Sequence, residues 1–71
     1  MNTPMEMSHE EVLRIRLEVL RREHRDLDQA IHALEETRGD PLTIRRLKAQ
    51  KLHLKDQIAA VEDELTPDII A

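Results

Sequence analysis

Two apolar stripes in this chain are mirror images about a single glycine. Leu13, Leu17, Leu20, His24, Leu27, Ile31 and Leu34 precede Gly39; Ile44, Leu47, Lys51, Leu54, Ile58, Val61 and Leu65 follow it. Within each stripe the spacing alternates between three and four, the period of a helix face that packs in a coiled coil. Taken from the inside out, Leu34 with Ile44, Ile31 with Leu47 and so on to Leu13 with Leu65, the two members of every pair are equidistant from Gly39. A chain that doubles back near residue 39 brings all of these pairs level. The pattern specifies an all-α fold, an antiparallel two-helix coiled-coil hairpin.

Composition agrees. With 71 residues there is room for one domain, too small to bury a sizeable core without help. Phe, Tyr, Trp and Cys are absent, there is one Gly, and 37% of the residues are charged, which suits long exposed helices better than a globule. The lack of Cys removes disulfides and thiolate metal sites and fits a reducing compartment. No apolar run approaches the ~20 residues of a membrane span or the ~7–15 of a signal-peptide core. A soluble cytoplasmic protein with no membrane partner is expected.

The boundaries carry their own signals. Residues 1–7 include Pro4, lack periodicity and read as a flexible tail. Ser8 with Glu11 three residues later forms a capping box, and Glu10 adds negative charge in the first turn. The hairpin is placed over residues 8–65: a helix over 8–37, a turn over 38–41 and a helix over 42–65. Gly39 is expected to take the positive φ that ends the first helix, Asp40 to cap the second, and Pro41 to suit its first turn. Thr66 and Pro67 stop the second helix, leaving 66–71 as a C-terminal tail.

Charge placement tests the hairpin independently. Arg14, Arg16, Arg21, Arg22 and Arg25 outnumber the acids of residues 13–25, and the facing stretch 53–65 has Asp56, Glu62, Asp63 and Glu64 in excess. Nearer the turn the signs reverse, with Asp26, Asp28, Glu35 and Glu36 opposite Arg45, Arg46, Lys48 and Lys51. Side chains lean toward the N-terminus of their helix, which permits Arg21 with Glu62, Asp28 with Lys55, Glu35 with Lys48 and Arg16 with Glu64. Each exposed pair contributes only ~0–1 kcal/mol, so the pairs select register rather than hold the fold.

Two helices alone leave one side of each seam residue open. Val12, Ile15 and Val19 on the first helix, with Leu42, Ala49, Leu52 and Ala59 on the second, form outer apolar strips. They are the candidate association surface. A homo-oligomer is expected, most simply a dimer forming a four-helix bundle, and a helix from another protein could complete the bundle instead.

Candidate chemistry centres on His24 and Lys51, which interrupt the seam in adjacent layers with Asp28 and Lys55 one turn further along each helix. This seam polar centre could hold a small anion or act as a pH-sensitive joint. The preferred reading is structural: His24 bonds Asp28, Lys51 covers Leu27 with its methylenes, and both forbid slipped registers. A metal site is not supported, because no two of His9, His24, His32 and His53 are three or four residues apart. Residues 45–55 carry five basic residues and no acid, a possible phosphate-binding face. Against it stand a net charge of −4 and the absence of aromatic side chains to stack on bases. No phosphate loop, no nucleophile with a base in reach and no evident cleft exist, so neither an enzyme nor a cofactor is expected.

Residues 47–58, LKAQKLHLKDQI, resemble the signature of the YdcH-like family of small bacterial coiled-coil proteins, K-x-Q-K-L-x-L-K-D followed by an apolar residue. Residues 20–31 are similar to that family's E-H-x-x-L-D-x-x-I element. The resemblance implies a short antiparallel hairpin in a bacterial cytoplasm, of unestablished role, with His24, Leu27, Asp28, Gln50, Lys51, Leu54, Lys55 and Asp56 as motif positions. The function expected is that of a small non-enzymatic interaction or scaffold module, the alternative being a nucleic-acid-associated protein using the 45–55 face.

Overall fold

The computed structural model describes residues 8–66 and is an all-α antiparallel hairpin: α1 (His9–Glu36) and α2 (Pro41–Leu65) lie side by side. Ser8 and Thr37 are caps and Pro41 is already helical, so three of the four helix limits move by one residue from 8–37 and 42–65. At 1.5 Å per residue each helix is about 40 Å long. The expected tail over 1–7 and, of the expected tail over 66–71, all but Thr66, which caps α2, lie outside the described residues.

α1 starts where the capping box places it. The Ser8 hydroxyl accepts from the Glu11 amide at 3.1 Å, and the Glu11 carboxylate accepts from the Ser8 amide at 3.0 Å. Those bonds satisfy donors that every helix start leaves open, and the Ser8 backbone and hydroxyl hold the Glu11 carboxyl below its ordinary value. α2 starts on Asp40, whose carboxylate accepts from the Thr43 amide at 3.3 Å and its hydroxyl at 3.0 Å.

The elbow corrects one expectation. The left-handed residue is Arg38, with φ 56°, and Gly39 has no positive φ. Thr37 is the cap, the Arg38 amide donates to Glu35 O at 3.3 Å, and the Gly39 amide donates to Leu34 O at 2.7 Å. That bond pair makes a Schellman ending, in which the residue right after the cap must be left-handed. The helix runs one residue short of where Gly39 would fill that place. Gly39 is needed for a different reason: a Cβ there would sit 2.8 Å from Leu34 Cδ2 and 3.2 Å from Leu34 O. The glycine lets the departing chain lie against the last turn of α1.

Every residue of both stripes is buried or half-buried, His24 and Lys51 included. The core proper is small. Leu13, Leu17, Leu20 and Val61 form a buried cluster at the open end, with Leu54, Ile58 and Leu65 packed against it, and Ile31 is buried separately near the elbow. Between these two points the seam is only half-buried. Val12, Ile15, Val19, Leu42 and Leu52 remain between 47% and 63% exposed, and Ala49 and Ala59 are exposed as well.

Candidate interaction surfaces

The seam divides the hairpin into two faces of different chemistry. On one face the stripes bordering the seam are Arg14, Arg21, Asp28 and Glu35 on α1 and Pro41, Lys48, Lys55 and Glu62 on α2, charged at every position but Pro41. On the other they are His9, Arg16, Glu23 and Ala30 on α1, Thr37 at its cap, and Thr43, Gln50, Gln57 and Glu64 on α2, with Arg16, Glu23 and Glu64 the only acids, lysines or arginines among them. Seven-residue spacing keeps each set on one side of its helix.

The charged face is latched along its length. Arg21 Nη2 lies 2.6 Å from Glu62 Oε2, Lys48 Nζ lies 3.0 Å from Glu35 Oε2, and Lys51 Nζ donates to Asp28 Oδ1. The Lys51 hydrogen bond is the main reason that the Asp28 carboxyl is held below the usual aspartate range, and it outweighs the partial desolvation acting the other way. His32 Nε2 stands 3.8 Å from Asp28 Oδ2. His24 lines the same depression with Lys51 and Lys55 but makes no hydrogen bond to Asp28.

Two expected pairs are thus replaced. Asp28 takes Lys51, which lies almost level with it across the seam, and not Lys55. Glu64 faces His9, 3.7 Å from its Nε2, and Arg16 makes no ion pair among the described residues. The His24–Asp28 bond is absent for a related reason. Asp28 is turned across the seam to Lys51, so the polar centre is a Lys51–Asp28–His32 arrangement with His24 and Lys55 at its margin.

The basic run at 45–55 does not form one cationic face. Lys48 and Lys51 are neutralised by Glu35 and Asp28, while Arg46 opens onto the opposite side of the hairpin with Glu23 and Asp26. The seven residues of the candidate association surface are likewise divided. Ala49 borders the less charged face, Leu52 and Ala59 line depressions on the latched one, Leu42 is exposed in the first turn of α2 beside the elbow, and Val12, Ile15 and Val19 lie at the open end of α1. They form separate patches rather than one continuous strip.

On the less charged face a shallow groove of about 720 Å³ runs between the helices. Leu27, Ala30, Ala49 and Leu54 supply its apolar lining, with Gln50 and His53 on the α2 side and Glu23, Asp26 and Arg46 at the rim. Reading the stripes for apolar residues overlooks this groove, because alanine and glutamine carry little hydrophobic signal. Its mark in the sequence is an absence of charge at positions 30, 43, 50 and 57.

Among the described residues no group of three or more His, Asp or Glu side chains is gathered as metal ligands would be, and no helix is long and apolar enough to cross a membrane. No curated protein and no solved structure matches the chain. The family described as "Protein of unknown function (DUF465)" matches residues 17–62, a span that takes in the buried cluster except Leu13, the polar centre, the elbow and most of both faces, and the chain belongs to that family.

Proposed function

We propose that this hairpin is a non-enzymatic module that works by protein–protein association in the cytoplasm of a bacterium, in keeping with the YdcH-like resemblance of residues 20–31 and 47–58. The observation that carries the reading is the imbalance between a small core and much exposed apolar surface. Among the described residues only Leu13, Leu17, Leu20, Ile31 and Val61 are buried, while five large apolar side chains stand about half exposed or more. A fold this thin gains by covering its outside with another helix or hairpin.

Capture from the cell of origin tests it, with the wild-type chain and Leu52→Glu as paired baits. A protein held by the first and lost by the second supports the reading and locates a contact. Equal recovery of nothing, together with a salt-dependent retardation of DNA or RNA by the purified protein, overturns it in favour of nucleic acid. The pairing of Lys48 and Lys51 with acids weighs against that outcome.

A further inference from the structure

We propose that the less charged groove is the interface of a symmetric dimer, in which two hairpins stack face to face about a two-fold axis parallel to the rod, so that α1 of each lies on α2 of the other with both elbows at one end. This rests on the association reading and names the face, the occupant and the geometry.

The first argument is chemical contrast. Arg21, Lys48 and Lys51 on the latched face are already paired across the seam with Glu62, Glu35 and Asp28, and burying those pairs would strip them of water for no new partner. The groove face has a single such contact among the described residues, the exposed His9–Glu64 pair at its open end. Its bordering stripes are largely alanine, threonine and glutamine, which permit close helix approach and can hydrogen-bond in a wet interface.

The second argument is complementarity under the symmetry. With the axis along the rod, a residue of α1 meets the residue of the other copy's α2 that lies equally far from the elbow. Arg16, which has no ion-pair partner among the described residues, then meets Glu64 of the second copy; Val19 meets Ala60, and Asp26 meets His53. Nearer the elbow Ala30 meets Gln50. No like charges meet on these stripes. An alternative two-fold, perpendicular to the rod at the level of Asp26 and His53 in the groove, stacks Asp26 on Asp26 and His53 on His53, an arrangement that like-charge repulsion disfavours.

The third argument is area. A face about 35 Å long and two helices wide covers roughly 650 Å² per copy, about 1,300 Å² in all, which lies within the range of specific dimers.

Charge reversal tested by mixing separates contacts between chains from contacts within one. Arg16→Glu and Glu64→Arg are purified separately, and mass is measured by sedimentation equilibrium. Each alone brings like charges together twice per dimer and weakens self-association by about tenfold. Mixed in equal amounts they regain the wild-type dimer, since each copy then supplies the opposite charge. A purely intrachain Arg16–Glu64 contact gains nothing from mixing, so a mixture no heavier than its components overturns the proposal. Ala30→Glu, at an exposed helical position, serves as a second probe and is expected to keep its helical circular dichroism while becoming monomeric; Lys55→Glu on the latched face is expected to leave the dimer intact. A dimer unaffected by Ala30→Glu overturns this interface and leaves the association reading standing, whereas a single-chain mass for the wild type at all concentrations removes self-association altogether.

Discussion

At the open end of the hairpin Leu13, Leu17, Leu20 and Val61 are all buried, whereas one turn further along the same seam His24 and Lys51 occupy equivalent positions and are only half-buried. The backbone repeat is unchanged between the two levels. What differs is the side chain offered to it. Leucine can be enclosed by its neighbours with no polar atom to satisfy, while an ammonium must reach water or an acid, and Lys51 reaches Asp28. The open end holds the helices together, and the middle fixes how they are aligned, since any slip that moved Lys51 off Asp28 would leave it against apolar seam residues.

The largest expected effect tests that division directly. Leu20→Ala should lower the unfolding free energy by about 2–4 kcal/mol, because a buried side chain is removed from a cluster with little freedom to collapse. Leu27→Ala, at a half-buried position beside the polar centre, should cost about half as much. Urea unfolding of both variants at one fixed protein concentration measures the difference. Equal losses would mean that the two levels contribute alike and would break the comparison.

The elbow is the other device that could set alignment, and it gives the next effects in size. Gly39→Ala should destabilise by about 1–2 kcal/mol, since the added Cβ meets Leu34 and the last turn must shift. Arg38→Gly should stabilise by about 1 kcal/mol, because the left-handed conformation that Arg38 holds is strained for any residue with a Cβ. Thermal melting reads both. An Arg38→Gly variant no more stable than the wild type would show that the strain is offset by a contact of the arginine itself.

Most of this architecture was legible from the repeat, and the failures were local. Equidistance from Gly39 settled the fold and the level of every seam residue, because heptad spacing leaves little freedom once the chain turns back. Arg21–Glu62 and Glu35–Lys48 followed from the same register. The identity of the left-handed residue did not, since the sequence offers a glycine one position beyond the place that Thr37 makes the cap. Asp28 had Lys51 and Lys55 within reach of the same face, and side-chain lean alone could not choose between them. The groove was missed because alanines and glutamines do not stand out in a search for apolar stripes, and the outer strips looked continuous because helical spacing does not say to which face of a hairpin each residue turns.

Lys51→Leu makes the middle resemble the open end and should raise the unfolding free energy by about 1 kcal/mol, as removal of a polar seam residue does in other coiled coils. It should also alter the acid limb of the stability profile. The folded Asp28 carboxyl titrates below its ordinary value, so its contribution is present above the ordinary aspartate value of about 4 and is lost as pH falls through the folded value. The wild type should therefore lose more stability between neutral and strongly acidic solution than Lys51→Leu does. Parallel profiles would mean that the Lys51–Asp28 contact places the helices without stabilising them.

The smallest effect belongs to the exposed latches. Arg21 and Glu62 lie 2.6 Å apart with side chains 56% and 45% exposed, so most of their attraction is screened by water and opposed by the loss of side-chain freedom. A double-mutant cycle with Arg21→Ala and Glu62→Ala should give a coupling of less than about 1 kcal/mol that shrinks further as salt is added. The two alanines should nevertheless reduce discrimination between registers, because they remove the Arg21–Glu62 contact across the seam while the leucines beside it are indifferent to a slip of one heptad. The readout is the fraction of a disulfide formed between cysteines placed one heptad out of register, in a chain that otherwise has none. If that fraction does not rise when Arg21 and Glu62 are removed, alignment is fixed by the elbow and Lys51 alone, and the surface pairs contribute neither stability nor register.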